Sequence, residues 1–290
     1  MAAFGLRGKS LLALLLAGML ALLPAGLIGW SLLSSIHEHF GEAYARNATL
    51  LSREKIRTPI SRELALSLRL ANSEVTLQWL KDPQDAAKKD LFFREAERYR
   101  QDFRDHAYFI VMLSSLEYYF NGNEEPVSMQ PRYTLNRETA ADSWFFSTLR
   151  NTDNFNINVD SNPELNSTKV WLNMVVKDDS GEVLALAGSG LDLSSFIRDF
   201  IASDEQGVTP MILDADGAIQ AHQNSNLIAL NSGANANARA GSNLLDMLGS
   251  ESEKQMVIQA MQAVKANPED VHIQPITLDG NAQLLALSYI

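Results

Sequence analysis

The stretch Tyr108–Leu113 (YFIVML), followed by Glu117–Asn121 (EYYFN), decides the fold class of this chain. Both runs are rich in aromatic and β-branched residues, and Ser114 and Ser115 between them suit a turn, so together they predict a β-hairpin. Before this point the apolar residues have helical spacing, and after it several short strand-like runs follow. The sequence therefore predicts an α+β protein that begins with helices and continues into an antiparallel sheet.

A module spanning residues 107–206 is predicted to complete the sheet that this hairpin begins. Its further strands are Phe155–Val159, Thr168–Lys177 and Glu182–Gly190. Pro126–Ala141 has the composition of a loop. Asp142 and Asp192 each precede a predicted helix, and Asp is a favoured N-cap residue. These two helices are Ser143–Arg150 and Leu193–Ala202.

A smaller module of the same plan is predicted for residues 207–290. Its elements are a hairpin of Thr209–Leu213 and Ala218–His222, a helix near Glu251–Lys265, and the strands His272–Leu278 and Gln283–Ile290. A loop rich in Asn, Ala and Gly, residues 231–243, connects the hairpin to the helix. Because the chain stops inside the last strand, we expect the natural protein to continue beyond it.

Residues 34–106 are predicted to form a stalk helix and a second helix. Apolar residues at helical spacing form one stripe on the stalk, namely Ile56, Ile60, Leu64, Leu68, Ala71 and Val75. Pro59 is expected to kink the stalk or to break it into two segments, and Asp82-Pro83 is expected to end it. The second helix is expected at about Asp85–Arg104.

An uncharged apolar run from Leu11 to Leu33 follows Arg7 and Lys9 near the start of the chain. A helix of this length spans the roughly 30 Å hydrocarbon layer of a bilayer. Basic residues on its N-terminal side place residues 1–10 in the cytoplasm. We therefore expect residues 11–33 to be a transmembrane helix in the lipid bilayer of the inner membrane, with residues 34–290 in the periplasm or outside the cell.

Two other structures can be considered for this run. A cleaved signal peptide would share the basic start, and Pro24-Ala25-Gly26 is a weak candidate for its cleavage site. The apolar run continues past this point, however, whereas the apolar part of a signal peptide normally ends there. A buried core helix is disfavoured because the run is apolar on all of its faces.

Composition and motifs exclude several classes of function. A net charge of −11 repels phosphate backbones, so no nucleic acid partner is expected. The chain has no cysteine, two of its five histidines, His37 and His39, face different ways on a helix, and the other three are scattered, so we expect no metal site. Gly188-Ser189-Gly190 lacks the residues that complete a nucleotide loop or a nucleophile elbow. The turn Asp214–Gly217 lacks the later ligands of a calcium loop. No catalytic residue and no cofactor are predicted for this chain.

The order and spacing of five short motifs resemble the double Cache (dCache) family of extracytoplasmic sensors. These motifs are Tyr118–Gly122 (YYFNG), Asp142–Phe145 (DSWF), Gly190–Leu193 (GLDL), Leu213–Gly217 (LDADG) and Ala286–Ile290 (ALSYI). The resemblance covers the chain from about residue 35 onwards. It implies two PAS-like antiparallel-sheet modules stacked along the long helix, with the small-molecule pocket mostly in the membrane-distal module, residues 107–206, and a membrane-proximal module, residues 207–290.

The resemblance also implies a function. Such a domain binds a small-molecule ligand outside the cytoplasm and regulates a cytoplasmic output module. We also expect a homodimer, with the apolar stripe of the stalk helix as its seam. The start of the chain is most similar to the sensor region of membrane PP2C-type serine/threonine phosphatases that control biofilm formation; a diguanylate cyclase is another output of the family. The alternative is a membrane-anchored binding or adhesion protein without cytoplasmic output. An anchored hydrolase would need a nucleophile with its base, and the sequence offers none.

The amino-acid-binding branch of the family has a Tyr, an Arg and a Trp-Tyr pair before its central strands. This chain has Trp144 and Phe145 in place of the pair, Asp142 where the Arg would stand, and Arg137 where the Tyr would stand. A carboxylate ligand needs the planar fork of an Arg, so the resemblance does not imply an ordinary α-amino acid.

The candidate ligand-binding residues are Trp144, Asp192, Trp171, Arg137, Tyr133 and Arg132. Asn173 and Asp160 are weaker candidates. Each has a structural alternative. The two tryptophans can be core residues. Asp192 can be an N-cap without any ligand, and the three loop residues can belong to a solvated surface.

Overall fold

The computed structural model describes residues 6–123, 126–162, 165, 167–202, 207–229 and 243–290. Its α-helices are α1 (Leu6–Ala71), α2 (Glu74–Lys81), α3 (Ala86–Asp102), α4 (Ser143–Asn151), α5 (Leu193–Phe196) and α6 (Glu251–Ala266). Its strands are β1 (Tyr108–Met112), β2 (Glu117–Asn121), β3 (Tyr133–Thr134), β4 (Phe155–Asn162), β5 (Ser167–Lys177), β6 (Val183–Asp192), β7 (Met211–Leu213), β8 (Ile219–His222), β9 (Val271–Leu278) and β10 (Asn281–Ser288). The expected α+β class and the N-terminal long helix are confirmed.

Helix α1 differs from the predicted stalk in two respects. It continues through Pro59, so the predicted break at this residue is wrong. Residues on both sides of Pro59 pack against the core, and tertiary packing of this kind outweighs the loss of one helical hydrogen bond. The helix then ends at Ala71, before the stop predicted at Asp82-Pro83. It ends there because the Ser73 hydroxyl caps a new helix, α2, by accepting from Val75 N at 3.2 Å.

A six-stranded antiparallel sheet forms the centre of the larger module, in the order β3-β2-β1-β6-β5-β4. The predicted hairpin is its β1–β2 pair, with Phe109 opposite Phe120. Strand β1 also pairs with β6, which places Phe109 opposite Gly188. Since side chains alternate along each strand, this register gives the sheet two different faces.

The first face of the sheet carries the main core. It buries Tyr108, Ile110 and Met112 of β1 against Leu70 of α1 and Trp79 of α2, together with the Phe residues of α3. The second face carries Phe109, Val111, Tyr118, Trp171 and Leu186, and is covered by α4. The sheet is therefore sandwiched between the N-terminal helices and α4.

The apolar stripe of the stalk is buried within the chain itself. Ile56 and Ala71 are buried, and Ile60, Leu64 and Leu68 pack against the same core cluster. The stripe was expected to be a seam for a dimer, and this expectation is wrong, because its residues face the sheet of their own chain.

The smaller module contains two antiparallel hairpins, β7–β8 and β9–β10, in the part of the chain that the structure describes. Isolated bridges Ala218–Asn243 and Leu248–Leu278 link the two hairpins through the segment 243–248. Helix α6 packs Val257 against Ile276 of β9. The predicted loop 231–243 lies, except for its last residue, outside the described residues. Arg53 of α1 donates to Pro268 O at 2.9 Å and so ties this module to the long helix.

The predicted transmembrane segment 11–33 lies in the N-terminal part of α1. The side chains of residues 11–17 fall outside the described residues. A search of the described residues finds no helical stretch whose length and apolar character would suit a membrane crossing.

Glu63 is a buried carboxyl group on α1, with a side chain only 1% exposed. Its Oε1 atom accepts from Arg104 N at 3.1 Å and pairs with the Arg62 guanidinium at 3.1 Å. Its Oε2 atom has no hydrogen-bond partner among the described residues. Burial raises the pKa of Glu63 above 4.5, although the Arg104 N–H and the Arg62 charge act in the opposite direction.

Replacing Glu63 by Gln is expected to stabilise the fold increasingly as pH rises above 4.5. A carboxyl whose pKa is raised on folding contributes stability below its unfolded pKa and loses this contribution as pH rises through the folded pKa. Glutamine does not titrate, and its carbonyl oxygen still accepts from Arg104 N. Melting temperatures at pH 5 and pH 8 measure the effect; a difference between Glu63→Gln and wild type that does not change with pH would contradict it.

Candidate functional site

A cavity of about 240 Å³ lies on the second face of the six-stranded sheet. Residues of β1 to β5 line it, and the loop that leads into α4 closes it with Asn136, Thr139 and Asp142. Its size suits a small metabolite rather than a drug-sized ligand.

Aromatic rings form the walls of this cavity. Tyr118 and Tyr133 stack with their centroids 4.9 Å apart. Trp144 meets Phe109 edge to face at 6.0 Å, and Trp171 meets Phe109 in the same way at 5.5 Å. Edge-to-face and offset-stacked contacts are the favoured arrangements of aromatic pairs, so the walls are held by their own packing. Burial raises the pKa of the Tyr118 phenol well above its ordinary value, which keeps this group neutral.

A row of polar side chains on the edge strand β4 lines the cavity, consisting of Asn158, Asp160 and Asn162. Next to them on β5, Asn173 donates both amide protons, to Asn158 Oδ1 at 2.7 Å and to Asn156 Oδ1 at 2.9 Å. Asn173 is 1% exposed, so this network is fixed inside the protein. The carbonyl oxygen of Asn173 is therefore left to accept a hydrogen bond.

Asp142 also contributes to the cavity, and it does so instead of capping α4. It stands at the N-cap position, but its side chain makes no capping hydrogen bond. Its Oδ2 atom accepts from Asn136 N at 2.8 Å, which closes the loop before the helix. The predicted N-cap function of Asp142 is therefore wrong, because the backbone there is already helical, whereas a cap requires an extended residue.

The glycines of strand β6 allow the rings of the cavity to lie against the sheet. A Cβ atom on Gly190 would lie 2.7 Å from the Trp171 ring. A Cβ atom on Gly188 would lie 1.8 Å from Leu172 O and 3.2 Å from the Phe109 ring. Gly188-Ser189-Gly190 is thus a packing motif, with Ser189 Oγ donating to Ala107 O at 2.9 Å on the other side.

Three of the six predicted site residues line the cavity, namely Trp144, Trp171 and Tyr133, and so do the two weaker candidates, Asp160 and Asn173. Trp171 Nε1 donates to Asp160 O at 3.3 Å, and Asn162 Nδ2 donates to the Tyr133 hydroxyl at 3.2 Å. Sheet pairing brings the residues of β3, β4 and β5 together, and α4 adds Trp144 by packing on the same face.

The other three predicted site residues are not among the residues that line the cavity. Arg132 donates from Nε to Phe120 O at 3.0 Å. Arg137 is exposed, with its guanidinium carbon 4.5 Å from the centroid of the Phe146 ring. Asp192 caps α5 by accepting from Ser195 N at 2.8 Å, and its own N–H donates to the Asp105 carboxylate. Ligand binding by these three residues remains a prediction.

Of the polar row on β4, Asp160 was a weaker candidate from the sequence, whereas the asparagines were missed, although a signal for the row exists. Asn156, Asn158, Asp160 and Asn162 occupy every second position of the strand, alternating with Phe155, Ile157 and Val159. Alternation of this kind normally marks a solvent-facing side. Two of these polar residues are instead almost fully buried, with Asp160 4% and Asn162 9% exposed.

No family model matches the chain, and no curated protein matches it. Solved structures do match. One is the ligand-binding domain of the Campylobacter jejuni chemoreceptor Tlp3 in complex with L-valine, at a TM-score of 0.53 and 11% identity, covering 87% of this chain and 88% of that one. Another is the ligand-binding domain of the Pseudomonas fluorescens chemoreceptor CtaA in complex with L-isoleucine, at a TM-score of 0.51 and 15% identity, covering 86% of both chains.

At identities this low, the similarity shows the fold alone. The structural similarity extends over most of both chains. The expectation of a sensor-type α+β fold is thereby confirmed: the chain has the fold of the ligand-binding domains of chemoreceptors.

Proposed function

We propose that this chain is the small-molecule sensing domain of a membrane signalling protein. One observation carries the proposal: a chain with the fold of chemoreceptor ligand-binding domains contains a cavity of about 240 Å³ with aromatic walls and buried polar groups. Binding sites typically combine an apolar wall with a few placed polar groups in this way. The L-valine and L-isoleucine complexes of Tlp3 and CtaA support the proposal by analogy.

The proposed sensor is anchored in the inner membrane by residues 11–33 and lies outside the cytoplasm from residue 34 onwards. The uncharged run and the basic residues before it support this arrangement. Ligand binding would change the relative population of two arrangements of the long helix, and the output module would respond to that change.

The sensor is proposed to act as a homodimer through a second stripe on α1. Ile36, Phe40, Tyr44 and Leu51 are between 51% and 73% exposed. Their spacing of 4, 4 and 7 residues places them on one face of the helix. A second copy of the same helix would bury this stripe, and helices of neighbouring copies would then run in parallel along the membrane normal.

The proposed cytoplasmic output is a PP2C-type phosphatase or a diguanylate cyclase that controls biofilm formation. The sequence resemblance alone supports this part. An apolar segment of about 20 residues after Ile290 would favour it over an anchored binding or adhesion protein.

Thermal unfolding of the full chain in an uncharged detergent tests the sensing function. A ligand present at about 100 times its Kd stabilises the folded state by about 2.7 kcal/mol, which raises the melting temperature. We expect at least one small metabolite to produce this shift, and Trp144→Ala to abolish it, because the substitution removes one wall of the cavity.

Asp192→Asn is the matched variant, since asparagine caps a helix as well as aspartate does. A lost shift in this variant would assign Asp192 to the ligand, whereas an unchanged shift would limit it to capping α5. If a broad metabolite library leaves the melting temperature of the folded wild type unchanged, the proposed function is wrong.

A further inference from the structure

The charged side chains in the described lining of the cavity are all acidic. Asp142 and Asp160 line it, and both are at least nine-tenths buried, at 7% and 4% exposure. Among the described residues that line the cavity there is no Arg, Lys or His. Burying a negatively charged ligand group beside two carboxylates, without a cation to balance it, is strongly unfavourable. The cavity therefore disfavours a carboxylate or phosphate ligand.

The polar groups of the cavity can accept further hydrogen bonds. A carboxylate offers about four acceptor positions. Within the described part of the chain, the Asp142 carboxylate accepts one hydrogen bond, from Asn136 N. Asn173 donates both amide protons to neighbouring asparagines, so its Oδ1 atom can also accept a hydrogen bond from a ligand. Such a set of acceptors matches a ligand group that only donates, as an ammonium group does.

The aromatic walls favour the same kind of ligand. Tyr118, Tyr133, Trp144 and Trp171 surround the cavity together with Phe109. The faces of aromatic rings attract cations, most strongly when water is excluded. The net charge of −11 adds a field that concentrates cations near the protein.

From these three observations we infer that the cavity binds an organic amine: a primary, multiple or quaternary ammonium compound without a carboxylate. This inference rests on the proposed sensing function and specifies its ligand class. The ammonium group lies at Asp142 and Asp160, and the hydrocarbon part lies between the aromatic rings. A zwitterionic α-amino acid is excluded by its own carboxylate, which meets no cationic side chain in the described lining.

Isothermal titration of the full chain in an uncharged detergent, with sets of matched probes, tests the inference. One set is isoamylamine, L-leucine and 4-methylpentanoate; another is phenethylamine, L-phenylalanine and 3-phenylpropanoate. Each set shares its hydrocarbon skeleton and differs only in its charged groups. Putrescine and choline represent diamines and quaternary amines. We expect heat of binding from one or more of the amines and none from the matched zwitterions and carboxylates.

Asp142→Asn is expected to weaken the binding of such an amine about ten- to hundred-fold, the usual loss for a hydrogen bond to a charged group. Its carbonyl oxygen still accepts from Asn136 N, so the loop before α4 is retained. Asp160→Asn is the second variant. Asp153→Asn is the matched control. It changes the net charge by the same amount, but Asp153 is exposed and lies outside the cavity lining. The control is expected to bind the amine as wild type does.

Two results would overturn the inference while leaving the sensing function in place. The first is binding of the zwitterions or carboxylates with no heat from the amines. The second is amine binding that neither Asp142→Asn nor Asp160→Asn weakens. If no probe of any charge binds while the metabolite library still shifts the melting temperature of the folded chain, the ligand class is wrong and the sensing function stands; if neither experiment gives a signal, both are wrong.

Discussion

Gly188→Ala is expected to destabilise the folded state by about 3 kcal/mol or more, because the added methyl group cannot be accommodated. Its Cβ atom would lie 1.8 Å from the backbone oxygen of Leu172 and 3.2 Å from the Phe109 ring. Gly188 lies on β6, which pairs with β1 on one side and β5 on the other, so neither neighbour can move without breaking a strand pair. The free energy of unfolding of a typical protein is about 5–15 kcal/mol, so this loss is roughly a fifth of it or more.

Gly41→Ala is the matched control for this substitution. Gly41 lies in α1, and a Cβ atom at this position would meet nothing within 4 Å. Alanine is the better helix former by about 1 kcal/mol, so the control is expected to be neutral or slightly more stable. Circular dichroism during heating of both variants measures the effect. A Gly188→Ala protein that melts within a degree or two of wild type would show that β6 tolerates a side chain there.

Phe92→Ala is expected to cost about 3–5 kcal/mol through the cavity that it leaves in the main core. The Phe92 side chain is 0% exposed. Its ring stacks on Trp79 with the centroids 4.4 Å apart and meets Phe93 edge to face at 5.1 Å. These contacts join α2 and α3, which cover the first face of the sheet. Their loss would loosen both helices at once.

Leu91→Ala is the matched control, since Leu91 is the preceding residue of the same helix and is 40% exposed. Its loss is expected to cost less than about 1 kcal/mol. Tryptophan fluorescence of each variant includes the signal of Trp79, which stacks on Phe92, beside that of the other three tryptophans, and the melting temperature reports the global change. Equal losses of stability in the two variants would mean that the stacked pair does not anchor the core.

Most helices and strands followed from local patterns in the sequence. The hairpin of β1 and β2 and the two long strands β5 and β6 were predicted to within two residues at each end. Their runs of apolar, aromatic and β-branched residues and the turns between them are local properties of the chain. The end of α1 at Ala71 was missed, because a serine cap inside a continuous apolar stripe has no strong local signal.

The candidate site followed from the sequence only in part. Trp144, Trp171 and Tyr133 were predicted and line the cavity, whereas Arg132, Arg137 and Asp192 make other contacts. Large aromatic residues line many buried sites, so residue type alone is informative for them. Whether an Arg side chain faces a cavity depends on the backbone of its loop, which composition does not determine.

By itself, the sequence determined the fold class, the position of the main strands and the acidic character of the protein. These depend on residue periodicity and on counted charges, which are properties of neighbouring residues. Only the tertiary structure decided which residues meet, because the sheet order β3-β2-β1-β6-β5-β4 joins segments that are far apart in the chain. Asp142 and Asp192 show the difference: both precede a helix, yet Asp192 caps its helix and Asp142 lines the cavity. The conformation of the preceding loop separates the two, since an N-cap needs an extended backbone, which Asp142 lacks.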